Sequence, residues 1–524
     1  MKVTLLKNAH IYTGDPRRPW AAQLAVVGER IAALDAGAEA WGEAPGAIVE
    51  NLDGATVIPG LIDAHVHLMW YALGLQQLDL RDCTLAGLVQ QVRARTAELS
   101  PGVWVRGRGW DQNLWAEGRF PTAADLDPVT PAHPVLLVAK NGHAAVANSL
   151  ALRQAGITAE TPDPPGGRIG RDAEGRPTGT LFEHAVNLVS DVAPPPSVAE
   201  VVKALRVAQE HLLAAGLTGV HDVDGAPAFA ALQTVHREQA LRLRVVKYVR
   251  REALPGLLEA GVRTGFGDHR LRLGGLKLYA DGALGARTGA LFTPYEGEPH
   301  NLGVLTLEPE ELMSLAQQAV GGGLALAVHA IGDRANRMVL DALEAVRPLN
   351  PSLRHRVEHA QLLTPEDVGR FQQLNVVASM QPVHAIHDRA MAERYWGART
   401  RCAYAWRTLL ETGAVLAFGS DAPIERFDPW VGLYAAVTRR HEVDGAPGPE
   451  GWHPEQRLTL PEALHAFTVG AAYAAGMEAE VGRLLPGYLA DLLVLNHDIF
   501  TLPPEALLET EVRRVMVGGE WHIG

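Results

Sequence analysis

The two ends of the chain alternate hydrophobic and polar positions in the manner of short strands. Residues 1–56 contain VTLLKNAHIYT, AAQLAVVGERIAALD and AIVENLDGATVIPG, and residues 481–524 contain DLLVLNHD and VRRVMVGGEWHIG. A period of two is typical of half-buried strands, and neither end has a long helical pattern. Because chain termini commonly lie close together, we predict that residues 1–56 and 481–524 form one small β-sandwich domain.

Between these ends, continuous apolar runs alternate with amphipathic helical patterns. Such runs are typical of buried parallel strands, and eight of them end near His67, Asp222, Val249, Lys277, His329, His359, Gln381 and Asp421. Eight strand–helix units in order predict an α/β fold, a (β/α)8 TIM-like barrel over residues 57–480.

One block, at about residues 69–200, is too long to be a connection between the first two barrel strands. It contains strand patterns of its own, WVRGRGWD and PVLLVAKNGH, and we interpret it as an inserted subdomain at the barrel mouth. In barrels of this type, the loops at the carboxyl face vary to give different chemistries. We therefore expect the insertion to cover the site and to supply an apolar wall.

Composition narrows the class of protein. The 524 residues are 47% hydrophobic and 20% charged, the balance of a globular protein with a sizeable core. The formal net charge of −13 disfavours nucleic acid as a partner, because an acidic surface repels phosphate backbones. Only Cys83 and Cys402 are present, and no apolar run approaches the length of a membrane span. The sequence thus predicts a cytoplasmic protein that does not enter a membrane.

Two histidines, His65 and His67, lie at the end of the first predicted barrel strand. Positions i and i+2 of a strand face the same side, so both imidazoles can face one point at the catalytic end of the barrel. Such a pair alone is equally compatible with a structural role. Four further residues at strand ends supply the nitrogen and oxygen ligands that zinc prefers: Lys277, His329, His359 and Asp421. Together the six residues predict a metal site.

These motifs resemble the amidohydrolase superfamily, in particular its branch of YtcJ-like proteins and N-substituted formamide deformylases. The resemblance covers nearly the whole chain and rests on VIPGLIDAHVHL, GRGWD, NGHAAVANS, KLYADGALGARTGAL, VHAIGD, EHAQ, GSDAP and GYLADLLVL. It implies a metal-dependent hydrolase that cleaves a carbon–nitrogen bond with metal-activated water. The implied substrate is a small amide of the N-acyl or N-formyl amine type.

The resemblance also implies the roles of the site residues. Divalent ions, one or two per chain and expected to be zinc, would be held in a buried site by His65, His67 and Asp421 and in a second site by His329 and His359. Lys277 occupies the place of the carboxylated lysine that bridges two metals in binuclear members. Asp421 would also take a proton from the attacking water and pass it to the leaving nitrogen.

Three residues are weaker candidates for contacts with the substrate. His143, in NGHAAVANS, is either a substrate contact or a loop histidine bonded to the backbone. Trp110 either lines the site or belongs to the core of the insertion. Arg287, just after the fourth predicted strand, either binds a substrate carboxylate or pairs with an acid. His384 and His387 follow the seventh predicted strand, and we expect both to be exposed to solvent.

Two alternative functions stay open. The first is a deaminase-type hydrolase with one metal ion; Lys277 argues against it, because such enzymes usually lack the lysine of the fourth strand. The second is a non-catalytic scaffold or regulator with the same barrel, against which the complete set of ligand positions argues. The sequence does not reveal the substrate or the oligomeric state, for which a homodimer is one option.

Overall fold

A computed structural model describes residues 2–81, 83–112, 115–139 and 144–523 of the chain. The chain divides into two compact units. Unit 1 comprises Met1–Tyr71 and Val201–Gly524, and unit 2 comprises Ala72–Glu200. Both terminal segments and the eight predicted barrel strands belong to unit 1, so a separate terminal domain with limits at 1–56 and 481–524 stays a prediction.

Eight parallel strands form the central sheet of unit 1, which confirms the predicted barrel. In chain order, β1 to β8 are Leu61–Val66, Leu217–Asp222, Arg244–Arg250, Leu271–Tyr279, Leu326–Ala330, Arg356–His359, Val377–Met380 and Leu416–Phe418. Each strand pairs with the next one along the chain. Asp421 lies just beyond β8, and its backbone amide donates to the carbonyl of His65 on β1 at 2.8 Å, which links the two edge strands.

Amphipathic helices separate most of the barrel strands. The helix Asp333–Val346, for example, buries Val339, Leu343 and Val346 along one face, the pattern expected of a helix that packs on a barrel. The helices that lie wholly or partly in unit 1 are Ala36–Gly42, Leu68–Gly74, Val198–Ala214, Ala226–Arg237, Leu254–Glu259, Pro309–Gly321, Asp333–Val346, Pro365–Leu374, Pro382–His387, Arg389–Trp396, Trp406–Glu411, Pro429–Thr438, Leu460–His465 and Ala471–Ala474. None of the described helices is long and apolar enough to cross a membrane.

The terminal segments form two additional sheets, as predicted. The first has the strand order Arg30–Leu34, Leu24–Val27, Val3–Lys7 and Ile48–Asn51. The second combines both ends of the chain in the order Glu520–Ile523, Val512–Val517, Leu492–Leu495, Thr56–Pro59, His10–Tyr12 and Trp20–Ala21. One cluster of buried side chains, including Leu6, Leu24, Leu492 and Met516, contains residues of both sheets. Burial of this apolar cluster holds the two termini together.

Unit 2 has a six-stranded sheet with the order Gly167–Arg171, Pro177–Glu183, Ala144–Ala147, Val135–Ala139, Val105–Trp110 and Leu78–Asp79. Its helices are Leu85–Glu98, Ala123–Leu126, Ser149–Gln154 and Asn187–Ser190. Trp110 is completely buried in the apolar core of this unit, and its Nε1 donates to the carbonyl of Leu137 at 2.9 Å. This position favours the packing role of Trp110 over a substrate contact. His143 lies outside the described residues.

Candidate metal centre

Three imidazole nitrogens surround the carboxylate of Asp421 at the carboxyl end of the barrel. The Nε2 atoms of His65 and His67 each lie 3.5 Å from Oδ1, and Nε2 of His384 lies 3.7 Å from Oδ2. These separations are longer than ordinary hydrogen bonds, and the buried Oδ1 has no hydrogen-bond partner among the described residues. The two histidines of the predicted pair therefore face one point, which Asp421 shares.

The remaining predicted ligands adjoin this point. The ring of His359 lies 4.9 Å from that of His65 and 4.6 Å from that of His329, measured between centroids. Lys277 on β4 is buried, and its Nζ interacts electrostatically with Asp421. Within the described part of the chain, this Nζ has no hydrogen-bond partner. The structure thus brings the six predicted ligands to one end of the barrel.

Hydrogen bonds fix the ring orientation of three of these histidines. In each, Nδ1 faces a side-chain oxygen: Glu358 Oε2 at 2.5 Å from His65, Asp224 Oδ1 at 2.9 Å from His67, and Gln381 Oε1 at 2.8 Å from His359. An Nδ1–H that donates to an oxygen leaves the lone pair on Nε2, and metal-binding histidines are typically oriented in this way. The three Nε2 atoms are therefore available as ligands.

His329 has the opposite orientation. Its Nε2 donates to the carbonyl of Gly282 at 2.8 Å, which leaves the lone pair on Nδ1. Burial lowers the pKa of His329 to about 3, and it also lowers the pKa values of His65 and His359. The three rings are consequently neutral at physiological pH, and neutral imidazole is the form that binds a metal ion.

A network of charged side chains inside the barrel holds the ring of His65 in position. Arg356 is completely buried, forms an ion pair with Glu358 and donates to Ser379 Oγ at 2.6 Å. Burial alone would raise the pKa of Glu358, but Arg356 and His65 hold it well below its ordinary value. Glu358 therefore stays ionised and keeps the His65 ring in place. The Nδ1 of His221 lies 2.8 Å from Nη1 of Arg356 in the same network.

The backbone at two ligand positions is in the left-handed region. His359 has φ 71° and Asp421 has φ 61°, values that residues other than glycine adopt rarely. Asp63 stabilises the backbone next to Asp421, because its Oδ1 accepts hydrogen bonds from the backbone amides of His65 and Ser420, both at 3.0 Å. Such backbone strain concentrates at functional sites, where the surrounding structure must hold it.

The sequence did not predict the side chains that orient the ligand histidines, and the solvent exposure that it predicted for His384 is wrong. Asp224, Glu358 and Gln381 were not proposed, although each lies at or just after the carboxyl end of a barrel strand. His384 was expected to be exposed, but only 6% of it is exposed. The reason is that Pro382 begins a helix directly after β7, and the first turn of that helix places His384 beside Asp421.

Arg287 pairs with an acid, which is the second of the two roles left open by the sequence. Its Nε lies 2.7 Å from Glu298 Oε1, and its Nη1 donates to the hydroxyl of Tyr395 at 3.3 Å. These contacts engage Nε and one N–H of Nη1, and they favour the pairing role over a substrate contact.

A second group of histidine and acidic side chains is built around His387. The His387 Nδ1 lies 2.6 Å from Glu425 Oε2, and its Nε2 lies 3.1 Å from Glu442 Oε2. Hydrogen bonds to both carboxylates raise the pKa of His387 to about 10, and the bond with His387 lowers the pKa of Glu442 to about 2. Both ring nitrogens of His387 thus face carboxylate oxygens, and the three side chains form an ion-pair network.

We expect His387→Gln to destabilise the protein more at pH 6 than at pH 9.5. Because folding raises the pKa of His387 from 6.5 to about 10, its ionic contribution is complete below pH 6.5 and disappears as the pH rises through 10. Hydrogen bonds to charged groups contribute about 2 kcal/mol, so thermal melts at pH 6 should shift by a few degrees. The exposed His211, changed to Gln, is the control. Equal shifts at both pH values would contradict the prediction.

Comparison with known proteins agrees with this geometry. Residues 49–522 match the model of the amidohydrolase family. The chain belongs to the amidohydrolase family. This amidohydrolase is 35% identical over 495 residues to the putative amidohydrolase YtcJ of Bacillus subtilis, an alignment that covers 90% of this chain and 89% of the relative. It is 32% identical over 545 residues to the N-substituted formamide deformylase of Arthrobacter pascens, with 99% and 98% covered.

A solved structure supports the same assignment. The crystal structure of an uncharacterized metal-dependent hydrolase from Pyrococcus furiosus superimposes on this amidohydrolase with a TM-score of 0.81 at 32% identity, covering 96% of this chain and all of the other. Family, relatives and structural neighbour together show that this amidohydrolase is a metal-dependent hydrolase of carbon–nitrogen bonds.

Proposed function

We propose that this amidohydrolase cleaves N-acyl or N-formyl amines with the help of one or two zinc ions at the barrel mouth. The observation that carries the proposal is the convergence of His65 and His67 Nε2 on an oxygen of Asp421, each 3.5 Å away. The name of the Arthrobacter pascens relative adds support for the substrate class. The two-cysteine composition favours a location in the cytoplasm.

The donor set suits zinc. Imidazole nitrogens and a carboxylate oxygen are the ligands that zinc prefers. The buried Oδ1 of Asp421 has no hydrogen-bond partner among the described residues, and a bound cation would neutralise it. His65, His67 and Asp421 would hold one ion, and His329 and His359 a second. When bound, the metal would lower the pKa of water to about 7 and polarise the substrate carbonyl.

Asp421 is proposed to carry the proton through the reaction. As the water oxygen attacks the carbonyl carbon, a carboxylate oxygen of Asp421 accepts the proton of the water. When the carbon–nitrogen bond breaks, Asp421 returns this proton to the leaving nitrogen, and an amine and a carboxylic acid leave. General acid–base catalysis requires the group to lie within hydrogen-bond reach of both atoms. The backbone hydrogen bond from the Asp421 amide to the His65 carbonyl fixes this residue at the carboxyl end of the barrel, which supports the proposed role.

Lys277 is proposed to carry a carbamate. Burial lowers the pKa of Lys277 to about 8, so a substantial fraction of its amine is neutral near physiological pH. The neutral amine adds carbon dioxide and loses a proton, which converts Lys277 into an anionic oxygen ligand suited to a divalent ion. An ammonium would instead be a buried cation, and burying a charge is costly unless it is paired and hydrogen-bonded.

Lys277→Ala should therefore lower kcat at least about tenfold, with partial recovery when a short carboxylic acid and bicarbonate are added. We expect the variant to bind fewer metal ions per chain. In the wild type, a carbamate carbon should be visible by 13C NMR after exchange with labelled bicarbonate. Lys203→Ala on an exposed helix face is the control. Full activity and unchanged metal content in Lys277→Ala would rule out a role of Lys277 as a metal ligand.

The proposed function is tested by metal analysis and a hydrolysis screen. Purified protein should contain about one or two zinc equivalents, whereas a non-catalytic scaffold should be nearly empty. The panel comprises N-formyl and N-acetyl derivatives of benzylamine and butylamine, N-acyl amino acids, cyclic amides, esters and ring amidines. Turnover of the N-formyl or N-acetyl amines supports the proposal. Turnover of ring amidines alone, with release of ammonia, would support the deaminase alternative instead.

A further inference from the structure

His384 differs from its neighbours at the metal centre in the hydrogen bond made by its Nδ1. In His65, His67 and His359, Nδ1 faces an oxygen, so the ring proton lies on Nδ1. In His384, Nδ1 instead accepts a hydrogen bond from the side-chain nitrogen Nε2 of Gln361 at 3.1 Å. The ring proton of His384 therefore lies on Nε2, and this nitrogen is a donor rather than a ligand.

The N–H of His384 is buried beside the proposed base. Its Nε2 lies 3.7 Å from Asp421 Oδ2, and it has no hydrogen-bond partner in the part of the chain that the structure describes. The ring is stacked on that of His359, with 5.8 Å between centroids and 12° between planes. Native structures rarely leave a buried donor without an acceptor, so this N–H is available to an acceptor on the substrate.

The local fold holds this donor in a fixed position. The backbone amide of His384 donates to the carbonyl of Gln381 at 3.1 Å, and the amide of Asp388 donates to the carbonyl of His384 at 2.8 Å. The carbonyl of Gln361 in turn accepts from the amide of Tyr404 at 2.7 Å. Donors that need no rearrangement during the reaction stabilise developing charge most effectively.

We propose that Nε2–H of His384 donates a hydrogen bond to the substrate carbonyl oxygen and stabilises the negative charge that develops there. The inference rests on the proposed hydrolase function. As the water oxygen bonds to the carbonyl carbon, the π electron pair moves to the carbonyl oxygen, and Asp421 holds the proton of the water. The electron pair then returns, the carbon–nitrogen bond breaks, and Asp421 delivers that proton to nitrogen. His384 keeps its own proton throughout.

The experiment compares His384→Leu, which removes the donor, with His384→Gln, whose amide nitrogen reaches the position of Nε2. We expect both variants to keep the metal content of the wild type. With N-acetylbenzylamine as substrate, kcat should fall about 10²–10³-fold in the Leu variant and less than about tenfold in the Gln variant, with smaller changes in KM. Affinity for the tetrahedral analogue N-benzyl methylphosphonamidate, measured by calorimetry, should fall in the Leu variant by a factor similar to that in kcat.

Several results would overturn the inference. Wild-type kcat and analogue affinity in the Leu variant would exclude a stabilising donor, and loss of metal in either variant would make His384 a ligand. If the Leu variant does not fold, His384→Asn replaces it, because its shorter amide reaches only the position of Nδ1; equal rates in Asn and Gln would then contradict the proposal. If the wild type hydrolyses no member of the panel, the proposed function fails, and analogue affinity alone decides on His384.

Discussion

His67→Ala should abolish tight metal binding and activity together. The Nε2 of His67 lies 3.5 Å from Asp421 Oδ1, and its Nδ1 is held by Asp224 at 2.9 Å, so the ring is oriented towards the centre before any metal arrives. Alanine removes a ligand that no neighbouring side chain on β1 can replace. His67 is the better choice than His65, because removal of His65 would also leave Glu358 without one of its buried partners.

Metal analysis after dialysis against a weak chelator, followed by an activity assay, measures this effect. Asp224→Asn is the graded comparison: it weakens the group that orients His67, and such changes typically cost about 10–100-fold in metal affinity or activity. His211→Ala, on an exposed helix face, should behave like the wild type. A His67→Ala variant that keeps its metal and its turnover would remove β1 from the site.

Much of the fold follows from the pattern of apolar residues. The eight runs predict the eight strands because a strand buried on both faces has few polar positions, and each run lies where the structure has a strand. The ligand positions follow for a related reason. The carboxyl ends of parallel strands meet at one end of a barrel, so polar residues such as Lys277 and Asp421, placed just there, are expected to meet.

The contacts around the ligands could not be predicted in the same way. Asp224 is 157 positions from His67, and Glu358 is 293 positions from His65, so no local pattern relates them. His384 lies in a helix of only six residues, Pro382–His387. So short a helix has too few turns to show which face is buried, and the solvent exposure expected for His384 was wrong.

The insertion illustrates a different limit. Trp110 has the same chemistry in a pocket wall and in a hydrophobic core, and only its contacts decide between them. The structure gives it a core position with Nε1 bonded to Leu137. The expectation that the insertion covers the metal centre stays a prediction.

Asp421→Asn should lower kcat by about 10²–10⁴-fold, the range over which general acid–base transfer contributes, while much of the metal is retained. The amide oxygen of asparagine can still face the Nε2 atoms of His65 and His67, so a donor to a metal ion remains. The amide cannot accept the proton of water and return it to nitrogen. The variant should consequently bind the substrate with a similar KM and fail in the chemical step.

Single-turnover kinetics and metal analysis on the same preparations test this separation of roles. The exposed Asp444, changed to Asn, controls for the loss of one negative charge at the surface. Substrates with better leaving groups should recover part of the loss, because protonation of the leaving nitrogen matters less as that nitrogen becomes less basic. A loss in kcat smaller than about tenfold would remove Asp421 as the base. If the variant loses all its metal, Asp421 is a metal ligand, and the loss of metal prevents any measurement of its role in proton transfer. The leaving-group series would then be repeated with metal in excess.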